Sequence, residues 1–252
     1  MDSKTGEEIK EKFRKAKNRL VLLDYDGTLV NHTPIPASAS LPEPISDIII
    51  KLVDDPLTKV YIITGRSRND IDNFLDHIPI NIIAEHGAMM KIRGVWKNQI
   101  INNVFWKRSI RPVLDKITST CPKSYVEDKC FSLTWHYRNA DPDLGYSASR
   151  ELIRLLKERI QSYNLKILDG NKVVEILTNE TGKGSAVKKL FEQYTYDFIL
   201  SIGDDATDEE MFEFFLYQPN AITIKVGDGF TSARYKLNNI VEVASLLKQL
   251  SE

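Results

Sequence analysis

The sequence predicts an α/β protein: a doubly wound, Rossmann-like parallel sheet interrupted by an inserted α+β domain. Two observations define the sheet. Apolar runs of strand length at residues 20–23, 59–63, 80–84, 198–202 and 221–226 alternate with segments of helical apolar spacing. Most of these runs also end in polar clusters, where open α/β sheets place their ligands. A third observation defines the insertion. Between residues 89 and 178 the alternation gives way to hairpin patterns and two helices, and it resumes afterwards. The expected organisation is a discontinuous core, 1–88 and 179–252, around an insert spanning 89–178.

In chain order, residues 7–17 are charged and helix-favouring, with a thin apolar stripe of Ile9, Phe13 and Ala16. That segment fits either a helix packed on the core or a linker from a longer polypeptide. The run Leu20-Val21-Leu22-Leu23 reads as a strand buried on both faces. Asp24-Tyr25-Asp26-Gly27-Thr28 delivers two carboxylates at its tip and then a glycine for a sharp turn. Residues 32–44, rich in Pro, Ser and Ala, read as a loop, and 45–53 as a helix. A second strand ends at Thr64-Gly65-Arg66, where Ser67 caps the next helix. A third ends at Glu85-His86-Gly87.

Within the insert, 89–96 reads as a hairpin turning at Arg93-Gly94, and 109–119 as a helix. Residues 131–137 alternate as a strand, and 143–163 as a long amphipathic helix. A final hairpin is expected to turn at Asp169-Gly170-Asn171. Residues 183–194 then form a helix, 198–202 a strand ending in Gly203-Asp204-Asp205, and 206–216, 221–226 and 243–250 complete the core.

Composition narrows the class. The 252 residues carry 34 basic and 35 acidic side chains, so charge gives no reason to expect nucleic acid or an anionic membrane. No apolar run approaches the roughly 20 residues of a membrane span. The opening MDSKTGEEIKEKF has no signal-peptide core. Cys121 and Cys130 match no zinc spacing, and a reducing cytoplasm is the expected compartment.

Four constellations fall at the ends of core elements: Asp24 with Asp26, the hydroxyl of Thr64, Lys183 between two glycines, and Gly203-Asp204-Asp205 with Asp208. Carboxylates so gathered need a cation to stay ionised. A small set of hard oxygens suits Mg²⁺. Thr181-Gly182-Lys183-Gly184-Ser185 is not a nucleotide-binding P-loop, because Leu177 and Gly184 stand where that pattern needs Gly and Ser or Thr.

Taken together, Asp-Tyr-Asp-Gly-Thr, Thr64, Lys183 and Gly-Asp-Asp-x-x-Asp resemble the four motifs of the haloacid dehalogenase superfamily, in family order. Thr64-Gly65-Arg66, Ala84-Glu85-His86-Gly87, residues 126–129 and 134–138, Val174-Glu175-Ile176 and residues 203–209 are similar to the trehalose-phosphate phosphatase family within it. The resemblance implies an Mg²⁺-dependent sugar-phosphate phosphatase in trehalose biosynthesis. Asp24 is then the nucleophile and Asp26 the acid and base. Thr64 and Lys183 bind phosphoryl oxygens, and Mg²⁺ lies on Asp24, Asp204 and the Asp26 carbonyl. The insert becomes a sugar-recognising cap acting through Glu127, Lys129, Arg138 and Glu175, with hinges near Met89 and Thr178. Arg66 is expected near the substrate, either as an orienting ion pair or as a ligand. Asp205 and Asp208 are left between second-layer and metal-water roles, and His86 as substrate-proximal at most. Trp96, Trp106 and Trp135 are candidates for a sugar-stacking platform or for cap core. The expected partner is a small sugar phosphate, with fusion to or association with a trehalose-phosphate synthase. The alternatives are another sugar phosphate, such as sucrose phosphate or mannosylphosphoglycerate, or a non-catalytic regulatory domain of a synthase.

Overall fold

The computed structural model describes residues 3–33, 35, 38–100, 104–192 and 194–252. The loop expected over 32–44 and the helix expected over 183–194 lie partly outside these residues, at 34, 36–37 and 193. The chain divides into two units, one formed by 1–99 with 182–252 and the other by 100–181.

The first unit is built on an eight-stranded sheet. Strand β1 (Arg19–Leu23) lies between β2 (Thr58–Ile63) and β10 (Phe198–Gly203), parallel to both. Outward on one side come β3 (Asn81–Ala84), β4 (Met89–Ile92) and β5 (Val95–Asn98). On the other come β11 (Ala221–Val226) and β12 (Tyr235–Leu237). Sequence order reverses at β1, so the switch point lies at its carboxyl end. All five residues of β1 are buried: Leu20 to Leu23 as an unbroken apolar run requires, and Arg19 with its guanidinium paired to Asp55.

Alternation along β1 sorts its side chains between two layers. Leu20 and Leu22 join a core cluster with Ala186, Val187 and Leu190 of α6 (Lys183–Phe191) and Met211 and Phe212 of α7 (Ala206–Phe214). Helices α1 (Ser3–Lys15), α2 (Glu43–Asp54) and α8 (Ile240–Leu250) pack among themselves, α8 against both others. Asp24, two residues beyond Leu22, therefore faces the layer that carries Lys183 and Asp208.

The stripe of α1 is docked. Ile9, Phe13 and Ala16 are buried, and Phe13 meets Phe198 edge-on at 5.3 Å with the Arg19 guanidinium 4.4 Å over its ring. The segment is a packed helix, which leaves open the expected link to a longer polypeptide.

The division at 99/100 and 181/182 also differs from the expected 88/89 and 178/179. The 89–96 hairpin does form, with positive φ at Arg93 and Gly94. However, β4 pairs with β3 and extends the core sheet. Trp96 accordingly belongs to the first unit, where its indole donates to Asp72.

The second unit is a four-stranded antiparallel sheet, in the order β6 (Tyr125–Asp128), β7 (Leu133–His136), β9 (Val173–Thr178), β8 (Leu165–Gly170). Its apolar face packs on α4 (Lys107–Thr120) and α5 (Pro142–Ser162), burying Trp106, Trp135, Leu152 and Ile176 in one cluster. Trp106 and Trp135 are thus core, and no stacking platform arises from the three tryptophans. The β8–β9 turn is Asn171-Lys172, closed by the Gly170–Val173 pair with Lys172 at φ 65°, so it overlaps the expected 169–171 turn at Asn171 and ends one residue later. Strand β12 escaped the sequence analysis because it is only three residues long.

Phe13→Ala removes a buried ring that joins α1 to β10. Its expected cost is about 3–5 kcal/mol, read from urea unfolding.

Candidate active site

The carboxyl end of β1 carries a buried ion cluster. The Lys183 ammonium, first residue of α6, donates to Asp24 Oδ1 at 2.6 Å and to Asp208 Oδ1 at 2.7 Å. All three side chains are almost wholly buried. Burial disfavours the charge on Lys183, but the two carboxylates outweigh it and hold the amine protonated well above the usual lysine range. Burial, with the neighbouring Asp208 and Asp204, pushes the Asp24 carboxyl well upward as well, against the pull of Lys183. Asp208 is raised to about 7, again chiefly by burial. With one ammonium serving several acids, the cluster is short of positive charge.

Local sequence explains the Asp204–Asp208 geometry. Asp205 caps α7 by accepting from the Thr207 backbone N–H at 2.8 Å. Asp208 Oδ2 reaches back to the N–H groups of Asp204 at 3.0 Å and Asp205 at 3.1 Å, a reciprocal capping box. Burial works against the charge on Asp205, but Lys183 and these hydrogen bonds hold its carboxyl well below the usual range. Gly203 leaves room for Asp208, since a Cβ there would lie 2.1 Å from its carboxyl carbon. Gly27 combines φ 84° with a similar constraint, its virtual Cβ falling 2.1 Å from Asp204 Oδ2. Asp204 Oδ2 also meets His32 Nε2 at 2.9 Å, and the Lys225 ammonium donates to the Asp204 carbonyl.

Carboxylate oxygens of Asp24, Asp204 and Asp208 lie within 4.8 Å of one another. Asp24 Oδ2 is buried and, among the described residues, has no hydrogen-bond partner. An orphaned anionic oxygen in a crowded set of hard donors fits a divalent cation, which would supply the missing charge. Asp208 has both oxygens committed to Lys183 and main-chain N–H groups, so it serves this cluster by placing the lysine and the Asp204 backbone.

The remaining rim residues follow from β2 and β3. Thr64 is buried, and its Oγ1 accepts the Arg66 N–H at 3.1 Å, leaving the hydroxyl proton to donate. Arg66 forks onto Asp26, Nε to Oδ2 and Nη2 to Oδ1, both at 2.6 Å. Glu85, His86 and Gly87 form a left-handed run with φ of 48°, 53° and 95°. Backbone bonds join this run to its neighbours: His86 N–H to Thr64 O, Glu85 N–H to Arg66 O, and Gly182 N–H to His86 O at 2.7 Å. The strained segment thus braces Thr64 and the residue before Lys183. Gly65 is small because the His86 ring fills its Cβ position, the virtual atom falling 2.4 Å from Nε2.

In the second unit, register places Glu127, Thr134 and Glu175 in one row across β6, β7 and β9. Lys129 donates to Glu175 at 3.0 Å, Ser132 donates to the same oxygen at 2.5 Å, and His136 pairs with Glu127 at 2.7 Å. Burial opposes the charge on Glu127, yet His136 and Lys129 hold its carboxyl below the ordinary value. Arg138 does not share these contacts. It lies past the end of β7 and donates to the Asn171 carbonyl in the β8–β9 turn. Ser132 and His136 were missed as partners. Alternation put both on the polar face, but only strand pairing shows which acid each one meets.

A parallel sheet with its switch point at an acid-tipped strand, interrupted by a separate α/β unit, is the architecture of haloacid dehalogenase-like hydrolases. A B. subtilis protein so described matches the fold with a TM-score of 0.60 over 92% of this chain and 99% of its own, at 17% identity. The family model described as trehalose-phosphatase matches residues 22–239, and the chain belongs to that family. The C-terminal domain of C. albicans trehalose-6-phosphate phosphatase matches with a TM-score of 0.90, covering 98% of this chain and 96% of that one at 27% identity. A bifunctional trehalose-6-phosphate synthase/phosphatase of Thermoproteus tenax is 38% identical over 99% of this chain and 34% of its own length. The chain spans about a third of the length of such curated relatives. Among the described residues no helix is long and apolar enough to cross a membrane.

Lys183→Met leaves Asp24 and Asp208 buried without their cation. In EDTA at pH 8 the expected destabilisation is about 3–5 kcal/mol by urea unfolding. Without the lysine, the folded-state carboxyl pKa values, already raised by burial, climb further above the unfolded ones. The folded variant then binds more protons than its unfolded chain, and the deficit shrinks as pH falls toward 5.

Proposed function

We propose that this chain hydrolyses trehalose 6-phosphate to trehalose and inorganic phosphate through an aspartyl-phosphate on Asp24. The observation that carries the reading is the Asp24 carboxylate itself. One oxygen is fixed by Lys183, and the other is buried and left open to a cation or to phosphorus. Family membership supplies the substrate class.

In the first step an Asp24 oxygen attacks phosphorus, the bond from phosphorus to the sugar oxygen breaks, and Asp26 gives that oxygen its proton. In the second, water attacks the aspartyl-phosphate, Asp26 takes the water's proton, and the Asp24 carboxylate is released with phosphate. Thr64 and Lys183 bind phosphoryl oxygens and offset the charge that develops on them. The metal is read as Mg²⁺, held by Asp24, Asp204 and the Asp26 carbonyl; when bound it supplies the positive charge the cluster lacks.

Sugar recognition is assigned to Glu127, Lys129 and Glu175. Charged groups pre-oriented by His136 and Ser132 give charge-assisted bonds to hydroxyls at little ordering cost. Arg138 is carried as a further sugar contact on resemblance alone. Relatives named as synthase/phosphatase support an association, covalent or not, with a trehalose-phosphate synthase; the cytoplasm is the compartment expected from the cysteine usage.

Phosphate release from a sugar-phosphate panel, with and without Mg²⁺, tests the reading. Trehalose 6-phosphate is expected to turn over fastest, and only with the metal. Faster turnover of sucrose 6-phosphate would reverse the substrate assignment. Asp24→Asn is expected to leave no release above background; surviving turnover would exclude the covalent route.

Glu175→Gln and Glu127→Gln are expected to lower kcat/KM for the sugar phosphate by roughly 10–150-fold, the value of one charged hydrogen bond. An aryl phosphate measured alongside should change by less than about threefold. Equal losses on both substrates would mean that these residues hold the fold.

A further inference from the structure

We propose that Arg66 is the positioning residue for Asp26, holding the plane and direction of its carboxyl. The inference rests on the reading of Asp26 as acid and base.

Two parallel bonds join the groups, Nε to Oδ2 and Nη2 to Oδ1, each at 2.6 Å. A single contact would fix a point, whereas a fork onto both oxygens fixes the carboxyl plane. The last torsion of an aspartate is otherwise broad. Asp26 lies in a turn, its side chain 27% exposed, so freedom at that torsion is the natural state without a partner.

The fork is itself held on several sides. The guanidinium carbon lies 5.1 Å from the Phe74 ring centroid and 5.6 Å from that of Tyr25. Those two rings are within 4° of parallel, and the Tyr25 hydroxyl is anchored to the Ala39 carbonyl at 2.7 Å. The Arg66 backbone is tied at both ends, its N–H to Thr64 Oγ1 and its carbonyl to the Glu85 N–H. One residue therefore links the hydroxyl of Thr64 and the carboxyl of Asp26, giving the two a fixed relation.

Proton delivery to a departing oxygen depends on direction as well as distance. The Nε–Nη2 edge of the guanidinium, which could grip a phosphate in a bidentate manner, is here committed to Asp26. That is the geometry of an aiming device.

Leaving groups separate the two roles. The alkoxide of trehalose needs a proton as it departs, whereas 2,4-dinitrophenolate does not. kcat/KM reports the step in which the leaving group departs. For Arg66→Met, which keeps an apolar stem against Tyr25 and Phe74, kcat/KM on trehalose 6-phosphate is expected to fall roughly 10–100-fold. On 2,4-dinitrophenyl phosphate it should change less than about threefold, which also shows the variant to be folded. Arg66→Lys, with one point contact in place of a fork, should restore only part of the loss. Equal losses on both substrates, or no loss on either, overturn the proposal. Asp26→Asn is the control. If it shows the selective loss and Arg66→Met does not, the positioning role alone is overturned. If Asp26→Asn is itself unselective, the acid/base reading falls and this inference falls with it.

Discussion

The buried ammonium of Lys183 between Asp24 and Asp208 is the constraint on which the rest of the core depends. It ties the tip of β1 to the starts of α6 and α7, three places far apart in the chain. Burying three charged groups is costly unless each is paired, and here each acid has the lysine within hydrogen-bond reach. The arrangement still falls short of neutrality. An unpartnered Asp24 oxygen beside Asp204 leaves room for a divalent cation, and an anionic substrate brings further need for positive charge. The same shortage that makes the cluster unfavourable alone makes it receptive to metal and phosphate.

Around that cluster the supports are main-chain bonds and aromatic rings. The capping box of α7 places the Asp204 and Asp205 N–H groups on Asp208, so one helix start organises a whole acidic motif. The left-handed run at 85–87 ties Thr64, Arg66 and Gly182 by backbone hydrogen bonds. Glycines at 27, 65 and 203 are small because neighbouring side chains fill the space a Cβ would take. In the second unit the division is by sheet face. Trp135, Val174 and Ile176 point into the helical core, while Glu127, Thr134 and Glu175 line the other face.

The core strands were legible because buried parallel strands are written as unbroken apolar runs, and the acids at their ends stand out against them. The boundary of the insert was less legible. The 89–98 hairpin has the local pattern of an antiparallel sheet whichever sheet it joins, and only its pairing with β3 assigns it to the core. Trp106 and Trp135 could not be sorted between binding face and core, because composition does not say which face of a strand the helices cover. Arg66, Arg138 and Asp208 were recognisable as polar residues near motifs, but their partners were not.

By itself the sequence determined the α/β class, the order of the catalytic motifs, and the identity of the groups at the strand tips. Those features depend on local periodicity and on residue type. Tertiary structure alone decided that Lys183 bridges Asp24 and Asp208, that Arg66 forks onto Asp26, and that Lys129 and Ser132 share Glu175. Each of those contacts joins residues that are distant in the chain, or on different strands, and depends on the register and direction of the elements that carry them.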